Sequence, residues 1–533
     1  MKSFTFDYVI VGGGSAGCVL AARLAAESGG TVALLERGRR DTNRWIHVPA
    51  TFFKALQSQD ADVVVSEPDQ SLNGRPFPVP QGNVLGGGSS VNGMIYMRGQ
   101  ARDYDDWAYE HGCTGWNYAD VLPVFKRQER NTRLRNGYHG SEGKLLVDDP
   151  SAPHPICRRI IEAAVASGVP RTDDFNGARQ EGTGWYQVTA SGGQRQSAAH
   201  CFLKPELGRK KLTILSGHAA LRIRIKNRRA TAVEARDGAG QEVLITARQE
   251  IVLTAGSFHS PKLLMLSGIG PRDVLDRHGI DVVHEADEVG RNYQDHVGAP
   301  VTRSLVGAQG LHGADKGLAA LKHGFDYWLL GRGLLTSNLL QAGACVDTDG
   351  DGRPDVQYNF APFAPGAPGA PPLDFHAVQV HPMTMRPASR GRLGLRSADP
   401  LDAPYFEAAA LGREEDLDTL RRGVRLARDI CEQSPLKEIL GEEVWPGPDV
   451  STHGGSNRID DAIRAQARTI FHPAGTCRMG PSETAVVDLN LRVNGIEGLR
   501  VADCSVMPAL VSGNTNAPTM MIADRAADWL LGK

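Results

Sequence analysis

The pattern Gly12-x-Gly14-x-x-Gly17 near the start of the chain could hold the phosphates of a dinucleotide. The first glycine permits a tight turn, the second lets a pyrophosphate approach the backbone, and the third lets a helix pack closely on a strand. Glu36 follows about 20 residues later, where a carboxylate can accept hydrogen bonds from ribose hydroxyls. Its negative charge disfavours a 2′-phosphate and therefore NADP. These residue types predict dinucleotide binding, but they do not distinguish a nicotinamide from a flavin.

A histidine and an asparagine close to the C-terminus could act on a hydroxyl group. His472 lies in His472-Pro-Ala-Gly-Thr-Cys-Arg-Met-Gly480, and Asn516 lies in Asn-Thr-Asn516-Ala-Pro-Thr519. Histidine can remove a proton near neutral pH, and asparagine can donate to and accept from the same hydroxyl. One histidine among the 16 in the chain is more often structural, so the residue types alone leave this role open.

Regular elements must position these residues. The apolar run at 6–11 predicts a buried strand, the Ala/Leu-rich stretch at 18–26 a helix, and 31–35 a second strand, which together form a βαβ unit. Several β patterns follow within 212–253. The Pro/Gly-rich stretch 361–372 cannot hold regular structure, and it is either a plain surface loop or a lid over an active site.

Further glycine-rich segments follow the first. The segment 82–92 can present successive backbone N–H groups as an anion-binding nest, although a flexible hinge is the alternative. The segment 256–270 begins where a strand ends, and Pro261 predicts the first turn of a helix there. The segment 501–508 adds another turn-rich stretch shortly before Asn516.

Composition and charge exclude several classes of protein. The chain has 533 residues with 59 Lys and Arg against 61 Asp and Glu, a formal net charge of −2. This balance gives no support for nucleic-acid binding, which needs a basic face. No run approaches 18 uninterrupted apolar residues, so we expect no transmembrane helix, although peripheral membrane association is compatible with the sequence.

The cysteines and one acidic turn bear on compartment and metals. Eight cysteines occur without any C-x-x-C pair, and the N-terminus does not fit a secretory signal, so we expect reduced thiols and a cytoplasmic protein. The stretch 347–352 copies the first half of a calcium loop, but its twelfth position is Tyr358 rather than a bidentate glutamate. We therefore predict no metal site.

Taken together, these segments resemble the glucose–methanol–choline (GMC) oxidoreductases, which are FAD-dependent alcohol oxidoreductases. The segments 82–105 and 256–270 look like the two signatures of that family, and the segments around His472 and Asn516 look like its catalytic segments. The resemblance extends over nearly the whole chain. Within the family the sequence is most similar to the bacterial choline, aliphatic-alcohol and sorbose dehydrogenase branch.

The resemblance implies an α/β fold made of a Rossmann-like FAD-binding domain with an inserted substrate domain. The substrate domain is expected to be an antiparallel sheet with helices. The expected FAD-binding segments are 1–155, 201–298 and 466–533, the last carrying the catalytic residues. The expected substrate-domain segments are 156–200 and 299–465.

The resemblance also implies FAD as the cofactor, with the adenosine toward residues 12–36 and the backbone of Ala220 at the adenine. Some members hold FAD covalently through a histidine just before the loop asparagine; that position is Val91 here, so non-covalent FAD is implied. The residues implied at the cofactor are Gly12, Gly14, Ser15, Ala16, Gly17, Glu36, Arg37, Leu85, Gly86, Gly87, Ser89, Asn92, Gly93, Met94, Ile95, Ala220, Ala255, Ala502, Asp503, Asn516, Pro518 and Thr519.

The implied reaction is the oxidation of a primary alcohol to an aldehyde. His472 would be the base, Asn516 would position the hydroxyl, and the hydride would pass to flavin N5, with O₂ or a quinone-type molecule as the final electron acceptor. A hydroxynitrile-lyase-like enzyme that uses FAD only structurally is the alternative. A non-catalytic flavin-binding protein and a pyridine-nucleotide dehydrogenase are less favoured. The identity of the alcohol cannot be derived from the sequence.

Overall fold

The computed structural model describes residues 2–450 and 457–533. Its helices are α1 (Ser15–Glu27), α2 (Arg44–His47), α3 (Phe52–Leu56), α4 (Gly88–Val91), α5 (Ala101–Tyr109), α6 (Tyr118–Gln128), α7 (Pro155–Ala166), α8 (Gly256–Leu266), α9 (Arg272–Arg277), α10 (Gly317–Leu330), α11 (Glu414–Cys431), α12 (Asn457–Gln466) and α13 (Asn516–Leu530). Its strands are β1 (Lys2–Val11), β2 (Val32–Glu36), β3 (Ala61–Val65), β4 (Pro78–Gly82), β5 (Glu129–Asn131), β6 (Leu145–Val147), β7 (Gly182–Trp185), β8 (Ala190–Ser191), β9 (Gln194–Arg195), β10 (Leu212–Ser216), β11 (Ala219–Lys226), β12 (Arg229–Arg236), β13 (Glu242–Leu253), β14 (Ile269–Gly270), β15 (His284–Glu285), β16 (Val297–Gly298), β17 (Val301–Leu305), β18 (Ala342–Val346), β19 (Val356–Ala361), β20 (Ala377–Thr384), β21 (Arg392–Gly394), β22 (Tyr405–Glu407), β23 (Leu440–Trp445), β24 (Arg468–Thr469) and β25 (Leu499–Val501).

The first large sheet has seven strands in the order β10-β2-β1-β13-β12-β11, with β25 paired to β13. The strands β10, β2, β1, β13 and β25 run parallel, whereas β11 and β12 form an antiparallel extension. All five residues of β2 are buried, as expected for a parallel strand covered on both faces. Helix α1 connects β1 to β2, so the predicted βαβ unit is present at the N-terminus.

The second large sheet has eight strands and is antiparallel throughout its main path, β23-β17-β20-β19-β18-β7. Helix α11 packs on β20, and α7 packs on β18. The predicted α/β fold, with a Rossmann-like sheet and an antiparallel sheet with helices, is therefore confirmed. The short strands at 297–298 and 468–469 join this second sheet, so it reaches a few residues beyond the expected limits of the substrate domain.

Helix α8 begins five residues earlier than the sequence predicts. We expected Pro261 in the first turn, but the helix begins at Gly256 and Pro261 lies inside it. A proline in a helix interior leaves the carbonyl four residues earlier without its backbone donor. Here that carbonyl, of Ser257, accepts a hydrogen bond of 2.7 Å from Thr476 Oγ1, which satisfies it.

A buried charged network joins the end of the second glycine loop to the neighbouring strand β5. Arg98 and Glu129 are both fully buried and form an ion pair, with Arg98 Nη2 2.6 Å from Glu129 Oε2. His139 bridges Glu129 and Asp174, at 2.9 and 3.0 Å from its two ring nitrogens. Because charges this deep are stable only when paired, the network fixes the course of the chain after the loop.

All eight cysteines are free thiols in the structure, as the sequence predicts. Within 2–450 and 457–533, no helix combines the length and the apolar character that crossing a bilayer requires.

Candidate active site

A cavity of about 440 Å³ is lined by residues of both large sheets. We call the lining that comes from the first sheet and its glycine loops the dinucleotide side. We call the lining from β19, β20 and residues 468–472 the substrate side. The cavity lies at the carboxyl ends of β1 and β2, where open α/β sheets bind their ligands.

Two glycine loops meet on the dinucleotide side. Gly86 donates its backbone N–H to the carbonyl of Gly13 at 2.7 Å. A Cβ on Gly87 would lie 2.7 Å from the Cα of Gly14. A side chain at position 87 would therefore push the two loops apart. Gly12 adopts a φ of +109°, which few other residues tolerate.

The start of α1 can receive an anion. Its N-cap residue is Gly14, which has no side chain to cap the first turn, and α1 begins at Ser15. The first N–H groups of a helix lack intrahelical partners and attract negative charge. A Cβ on Gly88 would meet no atom within 4 Å, so the facing loop leaves open space. This cradle fits the pyrophosphate of a dinucleotide.

Glu36 is buried at the end of β2 and lines the dinucleotide side. Its carboxylate oxygens accept hydrogen bonds from the backbone N–H groups of Gly13 and Gly38, each at 2.7 Å. Burial raises the pKa of Glu36. Each oxygen keeps a further lone pair that could accept a hydrogen bond from a ribose hydroxyl. Neighbouring Arg37 also lines the cavity and is paired with Asp62.

Most of the expected cofactor residues line the cavity. They are Gly12, Gly14, Ser15, Ala16, Glu36, Arg37, Gly87, Asn92, Gly93, Met94, Ile95, Ala220, Ala255, Asp503, Asn516 and Thr519. The others support this lining from behind or beside it, and they are Gly17, Leu85, Gly86, Ser89, Ala502 and Pro518. Gly17 illustrates such a role, because a Cβ there would lie 1.9 Å from the carbonyl oxygen of Gly12.

His472 lies at the substrate side, and its partner is Asn514 rather than Asn516. The Nε2 atom of His472 is 3.1 Å from Nδ2 of Asn514. The side chain of Asn516 is used elsewhere, since its Oδ1 accepts a hydrogen bond of 2.8 Å from Ser15 Oγ. The pairing of His472 with Asn516 expected from the sequence is therefore not what the structure brings together. Asn516 opens α13, so its side chain projects from a different turn than that of Asn514.

A second histidine fixes the tautomer of His472. His296 Nε2 lies 3.0 Å from the carbonyl oxygen of Met385, which can only accept, so this nitrogen carries the proton. Its Nδ1 then has a lone pair, and it lies 2.8 Å from Nδ1 of His472, which must therefore donate. This leaves the lone pair of His472 on Nε2, the nitrogen that faces Asn514.

Burial keeps both imidazoles neutral. It lowers the pKa of His296 to about 4, and burial together with the neighbouring His296 lowers the pKa of His472 well below its usual value. The backbone N–H of His472 donates to Asp295 at 2.9 Å, and burial raises the pKa of that carboxyl to about 7. His472 is thus held neutral, and the lone pair of its Nε2 accepts a hydrogen bond from Asn514 on the substrate side.

The paired strands β19 and β20 present polar groups on the substrate side. Asn359 and His381 are register partners and both line the cavity. Oδ1 of Asn359 and Nε2 of His381 are buried without a hydrogen-bond partner. Arg468 also lines this side, and burial lowers its pKa to about 10, so it remains a cation at neutral pH.

The cavity lining also includes two carboxylates and part of the 361–372 loop. Within the described part of the chain, the carboxylates of the lining are Glu36 and Asp503, both on the dinucleotide side. Phe363, from the loop, lines the cavity and contacts Phe53 edge to face at 5.4 Å between ring centres. The loop therefore forms part of the cavity wall.

Four residues of the substrate side were not predicted as site residues, although the sequence motifs pointed to two of them. Asn514 stands two positions before Asn516 in the same motif, and His296 ends the segment 289–296, which matches a further family pattern. Asn359 and His381 belong to no motif, and only the pairing of β19 with β20 brings them together.

The acidic turn that resembles half a calcium loop lies between β18 and β19. One carboxylate oxygen from each of Asp347, Asp349 and Asp351 falls within 4.8 Å of the others. Both oxygens of Asp347 accept backbone N–H groups of the same turn, from Gly350 at 2.7 Å and Gly352 at 2.8 Å. These bonds organise the turn itself.

Comparison with family models gives a match over most of the chain. Residues 6–298 match the N-terminal model and residues 387–523 the C-terminal model of the GMC oxidoreductases. The chain belongs to the GMC oxidoreductase family. The cofactor of this GMC oxidoreductase is FAD, which agrees with the glycine cradle and Glu36. The predictions of the family, of the cofactor and of an FAD-dependent oxidoreductase are thus confirmed.

Curated relatives and solved structures agree with this assignment. The GMC oxidoreductase is 38% identical over 537 residues to the alcohol dehydrogenase [acceptor] of Pseudomonas putida, with 99% of this chain and 96% of the relative covered. It is also 38% identical over 531 residues to the oxygen-dependent choline dehydrogenase of Brucella anthropi, with the same coverage. Among solved structures, pyridoxine 4-oxidase from Mesorbium loti superposes with a TM-score of 0.88 at 30% identity, covering 99% of both chains. Formate oxidase from Aspergillus oryzae superposes with a TM-score of 0.91 at 26% sequence identity, covering 99% of this chain and 98% of the other.

The lowered pKa of His472 predicts how the activity of this GMC oxidoreductase depends on pH. A catalytic base must be neutral to accept a proton, and the pKa of His472 lies well below 6.5. If His472 is that base, kcat/KM is expected to keep its plateau through pH 6.5 and to fall only below it. The profile should be measured between pH 4 and 9 on the holoenzyme. FAD absorbance at each pH serves as the control for unfolding. An acid limb centred at or above pH 6.5 would contradict the assignment.

Proposed function

We propose that this chain oxidises a primary alcohol to an aldehyde, with His472 as the catalytic base. The observation that supports this most is a buried, neutral histidine on the substrate side of the cavity whose Nε2 carries the lone pair and accepts a hydrogen bond from Asn514. Alcohol oxidation needs such a group, because the O–H proton has to leave as the C–H hydrogen is transferred. The alcohol dehydrogenase and choline dehydrogenase relatives support the same class of reaction.

Two side chains act on the alcohol in this proposal. In the structure Nδ2 of Asn514 donates to Nε2 of His472. When the alcohol binds, Nδ2 donates to the hydroxyl oxygen instead, which holds the alcohol near His472 and frees the Nε2 lone pair. His472 accepts the hydroxyl proton at Nε2. FAD, when bound, supplies the acceptor for the hydride that leaves the carbinol carbon. The alcohol thus becomes the aldehyde: its hydroxyl proton goes to His472, and its carbinol hydrogen leaves with the electron pair of the C–H bond for the cofactor. O₂ or a quinone-type molecule takes these electrons in turn.

We further propose that the substrate is an uncharged alcohol rather than choline. A quaternary ammonium is normally held by aromatic faces and a carboxylate. The described carboxylates of the lining, Glu36 and Asp503, lie on the dinucleotide side, whereas the substrate side carries the cation Arg468. Asn359 and His381, which line the same side, offer uncharged polar side chains to a neutral group of the substrate.

The visible spectrum of the holoenzyme tests this proposal. It should be recorded anaerobically before and after addition of neutral primary alcohols (aliphatic, aromatic and polyhydroxylated) and of choline. We expect the FAD bands to bleach with at least one neutral alcohol and not with choline. Bleaching with choline alone would contradict the substrate class. FAD that stays oxidised while substrate is converted would favour the lyase-type alternative, which no feature of the site favours.

Replacing the two asparagines separately should divide their roles. Asn514→Ala is expected to lower kcat by about 100-fold with FAD retained, because the hydroxyl loses the group that orients it. Asn516→Ala removes the hydrogen bond to Ser15 at the start of α1, so its main effect should be a lower FAD content. The measurements are absorbance of FAD per protein and kcat per bound FAD. The opposite pattern would restore the assignment of Asn516 as the partner of the base.

A further inference from the structure

Helix α10 exposes a continuous apolar stripe. The side chains of the stripe are Leu318 (85% exposed), Leu321 (70%), Phe325 (56%), Trp328 (64%) and Leu329 (69%). Their spacing of three, four, three and one residues places them on one face of the helix. Single exposed apolar residues are ordinary, but five large ones in a row on one helix face mark an interaction surface.

The amphipathic pattern of α10 is inverted relative to a helix that packs on a core. No residue of α10 is buried. Its other face is held to the protein by the hydroxyl of Tyr327, which donates to the carbonyl of Gly193 at 2.8 Å. Lys322 and Asp326 form an ion pair of 2.8 Å within the helix. Helix α11 shows the usual arrangement, with buried positions such as Leu420 and an acidic first turn.

We propose that α10 docks this protein on an anionic phospholipid bilayer, lying flat in the interface with the apolar stripe among the acyl chains. Helices of this kind combine a Leu, Phe and Trp face with cations that reach the headgroups. Lys316 precedes α10, Arg332 follows it, and Lys322 flanks the stripe; against Asp315 and Asp326 they leave the segment 315–332 with a net positive charge. Tryptophan, here Trp328, is the side chain that membrane interfaces favour most. This combination of charge and apolar chemistry fits a lipid surface.

The docking helix is connected to the wall of the cavity. The turn Leu334–Thr336 follows α10 and packs on the turn Pro49–Thr51. That turn leads directly into α3, where Phe52, Phe53 and Leu56 line the cavity. Docking would therefore bring this wall close to the bilayer. If the electron acceptor is quinone-type, as one form of the proposed function holds, the bilayer would supply it; the docking itself does not depend on that function.

Vesicle binding of the holoenzyme tests the proposal without substrate. Flotation should be measured with vesicles of phosphatidylglycerol and phosphatidylcholine at equal amounts. We expect the unaltered protein to float, and the double variant Leu321→Glu/Phe325→Glu to bind at least tenfold more weakly. The control variant Tyr109→Glu/Leu207→Glu changes two exposed apolar side chains in other parts of the chain and should bind like the unaltered protein.

Fluorescence and oligomeric state complete the test. The emission of the unaltered protein should shift to shorter wavelength on addition of vesicles, and Trp328→Phe should lose that shift. FAD content and activity with a soluble acceptor should be unchanged in the double variant, because neither residue lines the cavity. No vesicle binding by the unaltered protein would overturn the proposal. So would a dimer in lipid-free buffer that the double variant converts to a monomer, because the stripe would then join two copies.

Discussion

His472→Gln is expected to lower kcat/KM by about 1,000-fold while FAD stays bound. A positioned general base contributes about 10²- to 10⁴-fold to a rate. The middle of this range applies because the contact with His296 fixes the lone pair of His472 on Nε2, while the side chain borders the cavity. Glutamine keeps a polar side chain of similar length but has no nitrogen lone pair that can take a proton. The measurement is steady-state kinetics with the substrate that bleaches FAD fastest.

The same substitution at His278 serves as the control. His278 lies outside the cavity and forms a single side-chain hydrogen bond, from Nε2 to the carbonyl of Leu395 at 2.9 Å, which a glutamine amide can replace. The kcat/KM of His278→Gln should stay within a factor of about two of the unaltered enzyme, because a change away from the site leaves the site intact. If His472→Gln retained more than a tenth of the activity, the role of His472 as base would be refuted.

Glu129→Gln is expected to lower the free energy of unfolding by about 3–5 kcal/mol, the range found when one partner of a buried ion pair is removed. Glu129 accepts hydrogen bonds from Arg98, from His139 and from the backbone N–H of Gly140. A neutral amide would leave the guanidinium of Arg98 without an anion in a site with no access to water. Urea denaturation of the holoenzyme measures the change.

The pH dependence of this loss follows from His139. Burial alone would lower the pKa of His139, but its hydrogen bonds to Asp174 and Glu129 outweigh burial and raise it. A histidine whose pKa is raised in the folded state stabilises the fold fully at pH values below its unfolded-state pKa of about 6.5. This stabilisation disappears as the pH rises through the folded-state pKa. The difference in free energy of unfolding between the unaltered protein and Glu129→Gln should therefore be larger at pH 6 than at a pH above the folded-state pKa of His139.

An exposed ion pair provides the comparison for the buried one. Glu285 pairs with Arg272 at 2.9 Å, and about half of each side chain is exposed, at 47% and 55%. Water and salt screen such pairs, so Glu285→Gln should leave the unfolding midpoint within experimental error. Equal losses from Glu129→Gln and Glu285→Gln would show that the buried network is not a stabilising element.

Local sequence patterns predicted the dinucleotide side well. The turn between β1 and α1 depends on a few residues in succession, because only glycine tolerates the φ of Gly12 and the close approach at Gly17. Glu36 is found by counting along the chain to the end of the second strand. Such features are set by neighbours within about 30 residues, so the sequence is sufficient to find them.

The substrate side was predicted less completely because its contacts join distant parts of the chain. His296 and His472 are 176 positions apart, and their hydrogen bond exists only after β16 has paired with β24. The choice between Asn514 and Asn516 depended on where α13 begins, and helix boundaries are the least certain feature of a sequence prediction. Asn359 and His381 become neighbours only through the register of β19 and β20.

The order of strands in the first sheet has a consequence for cofactor binding. The sheet pairs β1 with β13, and β13 with β25, so it joins segments that are far apart in the sequence. Asp503, just beyond β25, receives the N–H of Gly256 at 2.8 Å, and Asn516 receives the hydroxyl of Ser15. The pocket for FAD is therefore complete only when the segment 499–516 has joined β1 and α1. Removal of that segment is expected to leave a protein that binds no FAD and is therefore colourless.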